Sequence, residues 1–350
     1  MRVAFALAGL GGFNAHGAGF LAAAAKWGIA PELVTATSGQ ILVVADWLSG
    51  EKDLRAQLVL PGLENNPLAQ LQTALFGYPG VFRPAFNEAL ARFASLPDFN
   101  QGFLNSVADR LLPAQQYVPE RSEATFQGAA DTLNASAIGV VFNSYDPKKG
   151  TGFLYGNDAA RALLPAEKKL RNTHAANIAQ RPGKHDMRYV SHVSAERDIL
   201  PITADAVKSA LWLSLYGFEK IPGGRMDGAY HRSCLISELH EFDRVFVARP
   251  LANGWYGKQP SNWFEVQDWQ CEMWFSVGYK AEVDALRRVN DLIEAKIITD
   301  PSFRKVELVE IEPETPAGYF NYFVERDVVY DRAFEASEQM FESLGLAKPE

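Results

Sequence analysis

The stretch Val34–Gly50, VTATSGQILVVADWLSG, decides how the chain is read. An apolar, β-branched approach, Leu33-Val34, runs into four small residues, Ala36-Thr37-Ser38-Gly39. An apolar run from Ile41 to Leu48 follows and stops at Gly50. That order predicts a strand, a sharp turn and a buried helix. A serine in such a turn faces the helix N-terminus, where free backbone N–H groups and the helix dipole favour developing negative charge. These are the mechanics of a nucleophile elbow, whose usual pattern is G-x-S-x-G. Here Ala36 and Gln40 hold the two outer positions. The same serine also suits the plainer role of an N-cap.

Upstream, the run from Phe5 through Ala8-Gly9-Leu10-Gly11-Gly12 to Phe13 is again a strand leading into a glycine-rich turn. Ala18–Lys26 reads as the helix that follows, apolar at Phe20, Leu21, Ala24 and Ala25. Glycines in such a turn let backbone N–H groups converge on an oxyanion or a phosphate, and they equally suit a tight connection. Far downstream lies Gly223-Gly224-Arg225-Met226-Asp227-Gly228-Ala229, whose Asp-Gly pair taken alone is a turn.

Together, Gly9–Asn14, Ala36–Gln40 and Asp227–Ala229 resemble the motifs of the patatin-like serine acyl hydrolases. That family opens on a glycine-rich oxyanion loop, follows it with a G-x-S-x-G serine, and supplies an aspartate from an Asp-Gly-[Gly/Ala] motif. The likeness covers residues 3 to about 250 loosely and the three motifs closely, and the lead-in WGIAPELV joins helix to strand as in that family. It departs at Leu10, at Phe13-Asn14, and at Ala36 and Gln40, where the family has glycine or Arg-Gly. The resemblance implies an α/β fold: a patatin-like three-layer α/β/α arrangement with a mostly parallel central sheet and a helical cap insertion. It implies a Ser–Asp dyad of Ser38 as nucleophile and Asp227 as base. It implies an oxyanion hole of N–H groups from Gly11, Gly12, Phe13 and Gly39, an acyl-enzyme intermediate, and no cofactor. The implied substrate is a lipid or other acyl ester, met in transient contact with a membrane surface.

Three rival readings use the same residues. His231, four positions after Asp227, is an alternative base and would give a Ser–His–Asp triad. Gly9-Leu10-Gly11-Gly12 after a strand also suits a dinucleotide loop, but the third glycine of G-x-G-x-x-G falls at Asn14. The acidic residue such a site expects has no better candidate than Glu32, which precedes its strand. A protein of this fold that binds lipid without turning it over is the third.

Composition narrows the partners. The 350 residues are 47% hydrophobic and 22% charged, as in an ordinary globular chain large enough for one big core or two smaller ones. A net charge of −8 argues against nucleic acid and against recruitment to anionic lipid. Cys234 and Cys271 make no metal-ligand spacing or disulfide framework, and the six histidines show no clustered pattern, so no metal site is expected. The uncharged run after Arg2 is broken by glycines, Asn14 and His16, so no signal peptide is expected, nor a transmembrane helix. A cytoplasmic setting is expected.

Residues 2–50 read as a βαβα opening, which puts the elbow at the carboxyl end of a strand in a parallel sheet. Residues 51–135 are expected to form a helical cap or lid: short helical pieces (Leu68–Leu75, Phe86–Ala94, Gly102–Leu111) are separated by prolines and show no strand alternation. Strands are expected at Ile138–Asn143 and Gly152–Leu154 around a turn at Asp146–Gly150. A polar helix (Asp158–Lys169), a loop over 171–187 and a strand (Arg188–Ala195) should follow, and then a helix Ala204–Tyr216 capped by Thr203. Arg244–Ala248 and Lys305–Glu312 read as strands, and Val277–Ile297 and Ala333–Leu344 as helices. The catalytic domain is thus placed at 1–250, with 251–350 as a C-terminal extension packed on it. Four of the seven tryptophans cluster at Trp255, Trp263, Trp269 and Trp274, for packing or for acyl contact.

Overall fold

The computed structural model describes residues 1–9, 14–51, 53–55, 81–95, 102–111, 114–164, 199–249, 259–300, 303–312 and 327–348, together with positions 68, 71, 75 and 255. The chain opens as β1 (Val3–Leu7), α1 (Ala15–Lys26), β2 (Leu33–Ala36) and α2 (Gln40–Leu48). It continues through β3 (Phe82–Pro84), α3 (Phe86–Ala94), α4 (Phe103–Leu111), β4 (Tyr117–Pro119) and α5 (Glu123–Ala135). Then come β5 (Gly139–Asp146), β6 (Thr151–Gly156), α6 (Asp158–Leu163), β7 (Ile199–Pro201) and α7 (Ala204–Ala210). The last elements are β8 (Met226–Asp227), β9 (Arg244–Ala248), α8 (Trp263–Glu294), β10 (Glu307–Ile311) and α9 (Asp327–Ser343).

An eight-stranded sheet carries the fold in the order β10-β9-β1-β2-β5-β6-β7, with β8 on β5. The pairings from β10 to β5 are parallel; β6 and β8 run antiparallel to β5, and β7 is parallel to β6. The period-2 alternation of each strand feeds two cores. Phe5, Leu7, Val34, Phe142 and Phe246 face the side covered by α1, α2, α5, α7 and α9. Ala4, Ala6, Val141, Val245 and Val247 face Phe242 and the Tyr279–Val283–Leu286 side of α8. The architecture is therefore α/β, a mostly parallel sheet between helical layers.

One register detail places the site. β2 stops at Ala36, opposite Phe142 of β5, while β6 occupies the other edge of β5 over Val141–Asp146. Beyond Phe142, the place beside β5 that β2 vacates is taken by β8, with Asp227 opposite Ser144. The turn after β2 and the end of β8 thus meet.

Several expectations need adjusting. The helix expected over Ala204–Tyr216 ends at Ala210 and resumes as a 3₁₀ turn at Ser214–Tyr216. Trp212 is the cause: its carbonyl accepts from Asp227 N–H (3.0 Å) and its indole donates to Gly217 O (3.0 Å), which turns the backbone toward Asp227. Within the segment expected as a helical cap, β3 and β4 form a small antiparallel pair. The far part of that segment, α5, packs against α2 and α7 as core. The long helix α8 begins at Trp263 and takes up most of the aromatic stretch. Within 251–350, β10 joins the central sheet and α9 packs on α1, so this region supplies sheet and core. The loop over 171–187 and the strand Arg188–Ala195 lie outside the described residues, as does the end of the helix Asp158–Lys169 beyond Leu164. Among the described residues, no helix is long and apolar enough to cross a membrane.

Candidate active site

Ser38 has φ +59, and among the described residues it shares a positive φ with only one other non-glycine, Lys296. A side chain in that region costs energy and persists only where the surroundings impose it. They do so here from both sides. Thr37 N–H is held by Leu7 O (3.2 Å) at the strand end, while Gln40 and Ile41 N–H already reach back to Thr37 O (3.3 Å) and Ser38 O (3.0 Å). The chain must reverse within one residue, and Ser38 absorbs the reversal. Close packing accompanies it: a Cβ on Gly9 would lie 2.3 Å from Thr37 O and 2.7 Å from Ser38 Cβ.

The Ser38 hydroxyl donates to Asp227 Oδ2 at 2.5 Å. Asp227 Oδ1 accepts from Ala229 N–H at 2.8 Å. Both side chains are buried, Ser38 at 4% and Asp227 at 1% exposure. Burial pushes the Asp227 carboxyl up to about 7, against the opposing pull of the hydrogen bonds from Ser38 and the Ala229 amide. The loop is fixed by Asn143 of β5, whose Nδ2 donates to Gly228 O (3.2 Å) and Arg232 O (2.9 Å). Gly228 is needed for that approach, since a Cβ there would lie 2.2 Å from Asn143 Cγ. Arg232 in turn is gripped by Glu238 and by Glu282 of α8, through contacts of 2.6–2.9 Å.

The expected site residues are placed as follows. Ser38 and Asp227 are brought together, and Gly39 follows Ser38 as the residue before α2. Gly11, Gly12 and Phe13 lie outside the described residues; the two ends of their loop, Gly9 and Asn14, both press on the elbow, Gly9 on Ser38 and Asn14 on Gly39. His231 stacks on Tyr145 (5.4 Å), and the single proton of the Ser38 hydroxyl is given to Asp227. Gln40 does not crowd the elbow. Its side chain crosses to the residue just past β1, where Nε2 donates to Ala8 O (3.3 Å), and it fills the space that Gly17 of α1 leaves open.

Asn143 and Arg232 escaped the sequence reading, and Asn14 entered it only as a departure at the end of the glycine motif. Asn143 carried a signal, a polar residue directly after the apolar run Val140–Phe142; Arg232 carried none. Among the described residues, no group of three or more His, Cys, Asp or Glu is arranged to hold a metal. Comparison with protein-family models and with curated proteins finds no match for the chain.

Proposed function

We propose that the protein is a patatin-like serine acyl hydrolase, an esterase acting on lipid-like carboxylic esters through a Ser38–Asp227 dyad. The observation that carries this reading is Ser38 itself: a nucleophile in a strained turn, hydrogen-bonded to a buried carboxylate whose proton affinity is raised to the neutral range. In this mechanism Ser38 Oγ bonds to the ester carbonyl carbon, the carbonyl π pair moves to oxygen, and Asp227 takes the hydroxyl proton. The oxyanion is held by the Gly39 N–H with the N–H groups of Gly11, Gly12 and Phe13. Collapse breaks the ester bond, and the alcohol leaves with the proton from Asp227. Water then attacks the acyl-enzyme by the same route, and the proton returns to Ser38 as the acid departs. No step calls for a cofactor.

The substrate reading follows from the surface. Helix α3 exposes Phe86, Leu90 and Phe93, and α4 exposes Phe103, Leu104 and Val107. With a net charge of −8, such faces suit transient contact with uncharged or zwitterionic lipid. The thiols of Cys234 and Cys271, which form no disulfide, suit a cytoplasmic setting. The test is incubation with a fluorescent alkyl fluorophosphonate followed by peptide mapping. Label on Ser38, lost in Ser38→Ala, is the expected result; an unlabelled protein with no turnover of p-nitrophenyl esters of any chain length would overturn the reading.

A further inference from the structure

We infer that the side-chain amide of Asn14 is a further donor to the oxyanion, an inference that rests on the acyl-transfer reading above. Asn14 stands directly before α1, yet its side chain makes no capping bond to that helix, whereas Asn157 and Asn262 cap theirs. Its carboxamide instead lies against the residue that follows the nucleophile: a Cβ on Gly39 would fall 1.9 Å from Asn14 Nδ2 and 2.6 Å from Cγ. Gly39 has φ −56 and ψ −19, ordinary helical values open to any residue. The missing side chain at 39 is therefore required by Asn14 and not by the backbone.

That position is chemically specific. When Ser38 Oγ bonds to the ester carbon, the negative oxygen must come within reach of the Gly39 N–H, the first donor of an elbow of this kind. An amide packed on Gly39 borders the same spot. Nδ2 carries two hydrogens, so it can serve a protein acceptor and the oxyanion together. Asn14 is 7% exposed, so its dipole acts where little water screens it. Asn14 neither gains nor loses a proton; it stabilises the charge that the attack creates.

The test compares Asn14→Gly, Asn14→Asp, Gly39→Ala and the double variant Asn14→Gly/Gly39→Ala. Each is assayed on the p-nitrophenyl ester that the unaltered protein turns over best, and against a trifluoromethyl ketone whose adduct on Ser38 carries the oxyanion. Asn14→Gly should lower kcat about 10²-fold with KM unchanged, and should weaken ketone binding by a similar factor. Asn14→Asp keeps the volume but turns an acceptor toward the oxyanion, and should lose at least as much; it also decides the matter where Asn14→Gly fails to fold. Gly39→Ala should lose activity by displacing the amide. In the double variant the added methyl fills the vacated space, so Tm should recover while kcat stays down. Recovery of kcat along with Tm would reduce Asn14 to a space-filler and overturn the inference, as would full-rate Asn14 variants of a protein that labels at Ser38. A protein that neither labels nor turns over esters brings down the acyl-transfer reading, and this inference with it.

Discussion

Burial holds the carboxyl of Asp227 near 7, and this couples activity to stability. The unfolded carboxyl ionises near 3.8, so between about pH 4 and 7 the folded state keeps a proton that the unfolded state releases. The stabilisation from this group is complete below 3.8 and is lost as pH rises through 7. Asp227→Asn removes the effect, so it should be more stable than the parent protein at pH 8, with the margin shrinking toward pH 5; urea unfolding at both values measures it. The catalytic requirement runs the other way. Asp227 must be ionised to accept the Ser38 proton, so kcat/KM should climb with pH through about 7, and that limb should survive in His231→Ala. Asp227→Asn should be nearly as inactive as Ser38→Ala, and the double variant little worse, because the pair works as one unit. His231→Ala should stay within about tenfold, about 1.4 kcal/mol of barrier; an inactive His231→Ala beside an active Asp227→Asn would move the base to the imidazole. At this scale the sequence showed Ser38 and Asp227 because each sits in a motif with its own turn chemistry. It marked Asn14 only as a break in a glycine motif and Asn143 only as a polar residue in a strand, because what each does depends on which glycine it faces across the fold.

Among the elements, α8 does more than cover one face of the sheet. Its Glu282 joins Glu238 on Arg232, five residues beyond Asp227, and Glu282 Oε2 also accepts from the Ser237 N–H (3.1 Å) and hydroxyl (2.7 Å). Glu282→Ala should cost about 2–3 kcal/mol, since it strips hydrogen bonds from a nearly buried guanidinium while Glu238 still balances part of the charge. Because Arg232 O is also an Asn143 anchor, the same variant should lower kcat; denaturant melts and steady-state kinetics read the two effects separately, and a stable, fully active Glu282→Ala would exclude the clamp. The start of α8 was readable in principle. Asn262 caps it, and Ser261 N–H bonds to Glu265 Oε2 (2.6 Å), an N-terminal box spelled out in Ser261-Asn262-Trp263-Phe264-Glu265. It was masked because the first half of the helix leaves Trp269 39% and Trp274 51% exposed, which erases the apolar period that marks a buried helix. The early end of α7 had no local signal at all, because the bond that bends it comes from Asp227, fifteen residues past Trp212.

Over the whole molecule, the elements that hold Ser38 and Asp227 are distinct from the helices proposed above to meet lipid. The parallel strands were legible from length and β-branched content, and they position Ser38. The place of β8 beside β5 was not, because it depends on where β2 runs out. The paired helices α3 and α4 hang from the β3–β4 hairpin, which is tied by Gln116 N–H to Leu215 O (2.9 Å), next to the Trp212–Met226 cluster beside Asp227. Helix α3 has no buried residue. Replacing residues 87–114 by Asn-Gly, a pair suited to a tight hairpin, should therefore leave the core folded. The shortened protein should keep its rate on short soluble esters and lose rate on long-chain phospholipid in zwitterionic vesicles. Equal rates on both substrates would separate these helices from lipid handling.

The fit of Gln40 into the gap above Gly17 ties these two positions together. A Cβ at 17 would land 2.0 Å from Gln40 Oε1, so a side chain there obliges the Gln40 amide to swing away and give up its bond to Ala8 O. Gln40 is fully buried, so that swing has to be absorbed by its neighbours. Positions 17 and 40 should therefore vary as a pair, and a library that shortens residue 40 while enlarging residue 17 reaches elbows that a change at 17 alone reaches only with a loss of stability.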